Sequence, residues 1–327
     1  MRSLAVLFDR RAILGALLLA TASACGARTG LKADPVEESD AAPAAVDASK
    51  DALSDAKDAA SEPLKDAVSE DAIPPIDASK NDGQVPSDCP DAASTLVYLL
   101  SSEQGLLSFD PPTLAFKTIG NIACPSSFSQ PNSMAVDRTG IAYSVFMDGT
   151  LWRISTGTAK CQATSYEPNQ LGFLRFGMAF VASQSIDELY VVEASYETDS
   201  KGLALLDTES LKLSFVGGFE PPLPTCELTG TGDGRLFALC LNWNGGSTLS
   251  EIDKKTAKIL GSDSLATGGA MDAFAFAFWG GSLWIFDSPD TDTVVVQYDP
   301  VTKIEKQVTT LANTRIVGAG VSTCAPL

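Results

Sequence analysis

Residues 272–310 read DAFAFAFWGGSLWIFDSPDTDTVVVQYDPVTKIEKQVTT, and the fold is decided by how this stretch is read. Phe274, Phe276 and Phe278 alternate with Ala275 and Ala277, the period of a strand whose two faces differ. Gly280-Gly281 then permits a tight reversal, because glycine reaches positive φ without steric penalty. The run LWIF at 283–286 is apolar throughout, as in a strand buried on both faces. A β-branched run follows at 294–298, and a more polar one at 306–309. Asp287-Ser288-Pro289-Asp290 and Asp299-Pro300-Val301-Thr302 separate them, with Asp able to bond the backbone ahead of it and Pro pre-setting φ. The stretch is therefore four short antiparallel strands.

Working outward, much of the chain before it repeats the same plan. Second strands align on Tyr98, Tyr143, Tyr190, Phe237 and Trp284, at spacings of 45, 47, 47 and 47 residues. These counterparts make Trp284 a core aromatic and not a binding residue. Third strands align independently and end in turns of one form, DPPT at 110–113, STGT at 155–158, DTES at 207–210, DKKT at 253–256 and DPVT at 299–302. First strands fall at 134–136, 178–181, 228–231 and 274–278, while 95–120 lacks one. A spare first strand, 316–321, stands at the end of the chain and fits as the missing member. Four strands in about 40–47 residues is the size of one β-propeller blade. The expectation is an all-β fold, a β-propeller of five four-stranded blades closed by pairing of N- and C-terminal strands. Six blades is the alternative, with the extra one hidden in the long stretch 166–201.

The N-terminus carries an address. Arg2, Arg10 and Arg11 precede the apolar run 12–19 and the small residues 20–24, the layout of a signal peptide. That run is shorter than the roughly 20 residues that a bilayer span needs. Ala22-Ser23-Ala24-Cys25 resembles a bacterial lipobox, with Ala22 where the family more often has Leu. CGARTGL at 25–31 is similar to the start of many myxobacterial lipoproteins. With the repeat, the chain resembles bacterial propeller-domain lipoproteins, in general appearance of the NHL/YncE-like type. The resemblance implies cleavage after residue 24, lipid on Cys25 and a place in the cell envelope. Gly26 in the second mature position resembles outer-membrane sorting, periplasmic or surface-exposed. The plainer alternative is a secretory signal with an incidental cysteine.

Residues 25–88 read as a tether. Positions 31–88 hold no aromatic residue and carry a net charge of −10, so they bury too little apolar surface to offset ordering entropy. A self-repelling spacer is expected, with an acidic binding tail as the sharper alternative. Residues 89–327 then form the propeller domain, with net charge −11 in a chain of −18. Such a field repels nucleic acid. A monomeric domain is expected.

With Cys25 lipidated, six cysteines remain, an even number in an exported domain. Cys89 with Cys324 would staple the closure, Cys226 with Cys240 would fasten a first strand to its neighbour, and Cys124 with Cys161 would tie adjacent blades. Metal binding is the rival, but the chain has no CxxC and no histidine. The lack of histidine also removes Ser-His-Asp and Cys-His nucleophile systems and imidazole acid/base work. The glycines of TGTGDG at 229–234 belong to a strand and turn with no helix following, so they do not form a phosphate loop. Five-bladed glycosidases use inner-strand acids, whereas the first strands here carry mainly Ala, Phe, Gly and Thr. Asp137 and Asp233 read as hairpin-turn residues. No catalytic residue is assigned.

Ligand candidates are sought in the loops that converge at one mouth of a propeller. Trp243, between Asn242 and Asn244, could stack on a sugar or peptide, against the plainer role of loop anchor. Tyr196 is a further candidate. Asp287, Asp290 and Asp292 could gather Ca²⁺ through oxygen ligands, or simply form a solvated loop. No cofactor other than that ion is expected. The expected function is non-catalytic binding or scaffolding of a protein or glycan from a lipid anchor. The alternative is a carbohydrate-active hydrolase using loop Asp or Glu residues.

Overall fold

A computed structural model describes residues 95–127, 130–183, 186–195, 197–269 and 273–327. The signal peptide, Cys25, the 25–88 tether, Cys89 and Tyr196 lie outside the described residues. The described strands form five antiparallel four-stranded sheets, the blades I to V. Blade II is β4 (Pro131–Val136), β5 (Ile141–Phe146), β6 (Leu151–Ser155) and β7 (Cys161–Ala163). Blade III is β8 (Phe176–Ser183), β9 (Ile186–Glu193), β10 (Leu203–Leu206) and β11 (Leu213–Gly217). Blade IV is β12 (Cys226–Gly230), β13 (Leu236–Leu241), β14 (Ser247–Ile252) and β15 (Ile259–Leu265). Blade V is β16 (Ala273–Trp279), β17 (Ser282–Ser288), β18 (Thr293–Asp299) and β19 (Ile304–Leu311). Blade I takes β1 (Val97–Ser101), β2 (Gly105–Asp110) and β3 (Ala115–Asn121) from the start of the domain and β20 (Ile316–Val321) from its end.

The closure follows the sequence reading: Val97 pairs with Val321 and Leu99 with Ala319. The long stretch 166–201 holds no extra blade. Its length goes into a 3-10 turn at Gln170–Gly172 and the long hairpin of β8 and β9.

Each blade buries both faces against its neighbours, and one apolar cluster fills each of the five gaps. The repeating aromatics explain this division. Tyr143, Tyr190, Phe237 and Trp284 enter four different clusters, and Tyr98 packs against the fifth. Trp284 also donates its indole N–H to the Trp279 carbonyl at 3.1 Å, so its polar atom is satisfied inside the core. The outer strands β3 and β19 are largely exposed and carry lysines, a composition that discourages edge pairing.

The five homologous turns share one geometry. Asp207, Asp253 and Asp299 accept backbone N–H groups from the residues two and three ahead, and the hydrogen bonds hold these carboxylates below their usual range. One residue further on, the chain turns left-handed at Leu114, Ala159, Leu211, Ala257 and Lys303, with φ between 56° and 61°. Asp137 accepts from the N–H groups of Thr139 and Ile141, and Asp233 accepts from the Thr231 hydroxyl, so both are turn residues.

Two disulfides are formed as read. Cys124–Cys161 spans the gap between blades I and II, and Cys226–Cys240 joins directly paired residues of β12 and β13. Cys324 is buried and disulfide-bonded.

Inner strands β4, β8, β12, β16 and β20 contact one another in a ring, and the axis is crowded. A Cβ on Gly230 would sit 2.1 Å from the Phe180 carbonyl oxygen of the next inner strand. Gly230→Ala must therefore push two backbones apart, at a cost of about 1–3 kcal/mol. Gly261→Ala, at a site with nothing within 4 Å, is expected to stay within about 0.5 kcal/mol of wild type. Urea unfolding of the two variants tests the contrast.

Candidate functional site

Crowding divides the central channel into an open part and a filled part. Around Ala135, Met178, Leu228 and Ala319, midway along the inner strands, the free space falls to about 10 Å³. The far end is covered by the C-terminal segment after β20. There the Thr323 hydroxyl donates to Asp187 at 2.9 Å, and the Pro326 carbonyl accepts from Gly280 N–H at 2.8 Å. Asp187 is itself held by Arg138 through both guanidinium and backbone donors. The opposite end, where the inner strands begin, opens into a cavity of about 320 Å³. All five blades line it, with Ser102 and Arg315 from blade I, Asn132 from II, Ala194 from III, Glu227 from IV and Phe274 from V.

Glu227 is the residue that the sequence reading missed. That reading began the strand at Leu228 and found no acid on the first strands, whereas β12 begins at Cys226. The Glu227 side chain is buried and accepts the Ser133 hydroxyl of β4 at 2.6 Å, reaching past blade III to blade II. Gly177 of β8 makes room for it: a Cβ there would lie 3.1 Å from Glu227 Oε2. Burial raises the Glu227 carboxyl well above its ordinary range, against the opposing pull of Ser133 and the backbone N–H groups of Met178 and Leu228. Register could have revealed it, because the expected Cys226–Cys240 pairing already places residue 227 inside the strand.

Arg315, which immediately precedes β20 as Arg175 immediately precedes β8, was also not singled out. Its Nη1 donates to the Ser288 and Asp290 carbonyls, each at 2.8 Å, and its own carbonyl accepts from Ser102 N–H at 2.9 Å. The next residue is fixed too, with Ile316 N–H donating to the buried Ser288 and Thr293 hydroxyls at 3.1 and 3.2 Å. At the rim, Gln130 is exposed, and its amide has no hydrogen-bond partner among the described residues.

The loop candidates are not brought into this cavity. Trp243 is 51% exposed on the β13–β14 loop. Asn242 accepts from Thr248 at 3.1 Å and closes the same loop through its backbone bonds with Gly245 and Gly246, while Asn244 is exposed beside it. On the β17–β18 side, Asp292 accepts from Asn313 N–H at 2.8 Å, and Asp290 serves through its carbonyl on Arg315. Asp287 lies near the end of β17, half-buried. Among the described residues, no group of three or more His, Cys, Asp or Glu stands close enough to hold a metal ion. The loop 287–292 thus positions Arg315.

No protein-family model matches the chain, and no curated protein does. Solved structures do match. A chain in the crystal structure of a nidogen/laminin complex is 12% identical with TM-score 0.48, covering 71% of this chain and 99% of that one. TolB from Acinetobacter baumannii is 14% identical with TM-score 0.41, covering 68% of this chain and 54% of that one. A Dos1 propeller is 12% identical with TM-score 0.35, covering 67% and 56%. This chain thus spans little more than half the length of the last two. At such identities no function is transferred. The chain is a five-bladed β-propeller by its own strand order and ring of cores.

The sign of the Glu227 effect on stability is definite. A carboxyl raised in the folded state binds its proton more tightly there than in the unfolded chain. Its contribution is fully present below the unfolded value near 4.5 and is lost as pH rises through the folded value. Glu227→Gln removes that dependence while keeping an acceptor for Ser133. Thermal melts across pH should show the variant gaining on wild type as pH rises above that range. A constant offset between the two would contradict the raised carboxyl.

Proposed function

We propose that this chain is a cell-envelope binding propeller that holds a protein or glycan ligand at the open mouth of its channel without transforming it. The observation that carries the reading is the cavity of about 320 Å³ whose wall is drawn from all five blades. Its volume is at the small end of the range for ligand pockets, and its wall mixes apolar surface with a few polar groups, as such sites do. Lipid on Cys25 would anchor the domain to an outer membrane, with the acidic tether as spacer. The net charge of −18 argues against nucleic acid as the partner.

The hydrolase reading has one observation in its favour. A buried glutamic acid with a raised pKa is what a general acid requires. Cleavage of a glycosidic bond ordinarily needs a second carboxylate about 5–9.5 Å away. Among the described lining residues Glu227 is the only acid. Binding is therefore preferred.

Glycan and peptide arrays probed with the labelled chain should show ligands whose signal is lost in Gln130→Trp, which narrows the mouth from an exposed position. Retained binding in that variant would move the site elsewhere. Turnover of any array ligand that Glu227→Gln abolishes would replace the binding reading with the hydrolase. Fatty-acid labelling tests the anchor: wild type should take up label and Cys25→Ala should not.

A further inference from the structure

We infer that the mouth of the channel recognises a carboxylate, which Arg315 receives through its free guanidinium edge while the body of the ligand lies against Phe274, Met147 and Pro131. The inference rests on the proposed binding role of this mouth and names the chemistry it would select.

Arg315 is held differently from the five described cations that form ion pairs. Arg138, Lys212, Arg235, Lys254 and Lys303 each sit against a carboxylate, from Asp187, Glu167, Glu251, Glu188 and Asp263 respectively. Arg315 forms no ion pair with any described carboxylate, although the chain carries 41 acids against 23 bases. Carbonyls hold it instead. Both bonds use Nη1, leaving Nε and Nη2 without partners among the described residues. Those two donors form the flat fork that a carboxylate meets with two parallel hydrogen bonds. The backbone on either side is tied to Ser102, Ser288 and Thr293, so the fork is fixed before a ligand arrives.

The rest of the wall agrees with a singly charged anion. Glu227 is the only other ionisable lining residue described, and its burial disfavours the charged form and raises the carboxyl above its ordinary range. A single guanidinium balances the charge of one carboxylate, whereas a doubly charged phosphate would keep one charge uncompensated. Gln130, whose amide has no partner among the described residues, offers a neutral donor in the same lining. Two sources present this chemistry, a sugar acid and the C-terminus of a peptide, and the cavity of about 320 Å³ accepts the end group of either.

The test titrates the full chain calorimetrically with three pairs: glucuronate and glucose, phenylacetate and phenylacetamide, and the tripeptide Ala-Ala-Phe as free acid and as amide. At least one acid should bind about tenfold or more tightly than its neutral twin. Arg315→Gln should bring that acid down to its twin's affinity. Preference for glucuronate would mark a sugar acid as the source, and preference for the tripeptide acid a chain terminus. Neutral twins that bind as well as the acids, and are blocked by Gln130→Trp, would overturn the carboxylate inference while leaving the mouth as the binding site. Failure of every acid to bind, or unchanged affinity in Arg315→Gln, would also overturn it. Because Arg315 supports the 288–290 backbone, a second measurement uses the unmutated chain. Modification by p-hydroxyphenylglyoxal should be slowed at Arg315 by the bound acid and not by its neutral twin, and equal modification with and without the acid overturns the inference.

Discussion

Pairing of β20 with β1 is the constraint on which every other contact depends. Four of the five gaps between blades could be filled by consecutive parts of the chain. The fifth, between blades V and I, takes Ala319 and Val321 from β20 and Val97 and Leu99 from β1. Without β20, blade I would lose its inner strand and both of its neighbours would face water with large apolar surfaces. Arg315 would then have no fixed place, since Ile316 is what the buried Ser288 and Thr293 hydroxyls hold. Closing the ring and building the mouth are therefore one event. Loop closure over the whole domain costs entropy only as the logarithm of its length, which a covered core offsets.

The second constraint follows from the number of blades. Five inner strands meet so closely that a Cβ on Gly177 or Gly230 would enter the backbone of the adjacent strand. The channel can therefore stay open only at its ends. One end is taken by the C-terminal segment through Thr323 and Pro326. What remains is a funnel with one entrance, and any ligand there meets the starts of the inner strands.

The fold was legible because it is written five times. A single Asp-x-x-Thr turn means little, but five in register, with five aromatics at matching spacing, leave few architectures. The site was not legible for the same reason. Repetition draws attention to positions that recur, and those turned out to be core aromatics and turn caps. The left-handed residues Leu114, Ala159, Leu211, Ala257 and Lys303 were invisible because none is glycine. Loop composition draws attention in a related way. Trp243 and the aspartates at 287–292 are conspicuous in one dimension, but the described lining of the cavity takes Arg315, one of many bases, which the 287–292 loop holds through two carbonyls.

Register shows where function departs from repetition. The repeating aromatics pair with Ala135, Ala179, Thr229, Ala277 and Gly320 on the inner strands. Two residues before each of these stand Ser133, Gly177, Glu227, Ala275 and Gly318. Four members of this ring are small, as crowding at the axis demands. The fifth is a glutamic acid that fills the room left by Gly177 and bonds Ser133 across it. A leucine or methionine would satisfy packing at that place more cheaply than a carboxyl whose burial must be offset. A buried acid at a place that an apolar side chain could fill, in one lining with an arginine that no described carboxylate neutralises, is polarity that packing does not require. The five-fold plan accounts for the blades, and Glu227 and Arg315 are the two ionisable groups in the described lining of the mouth.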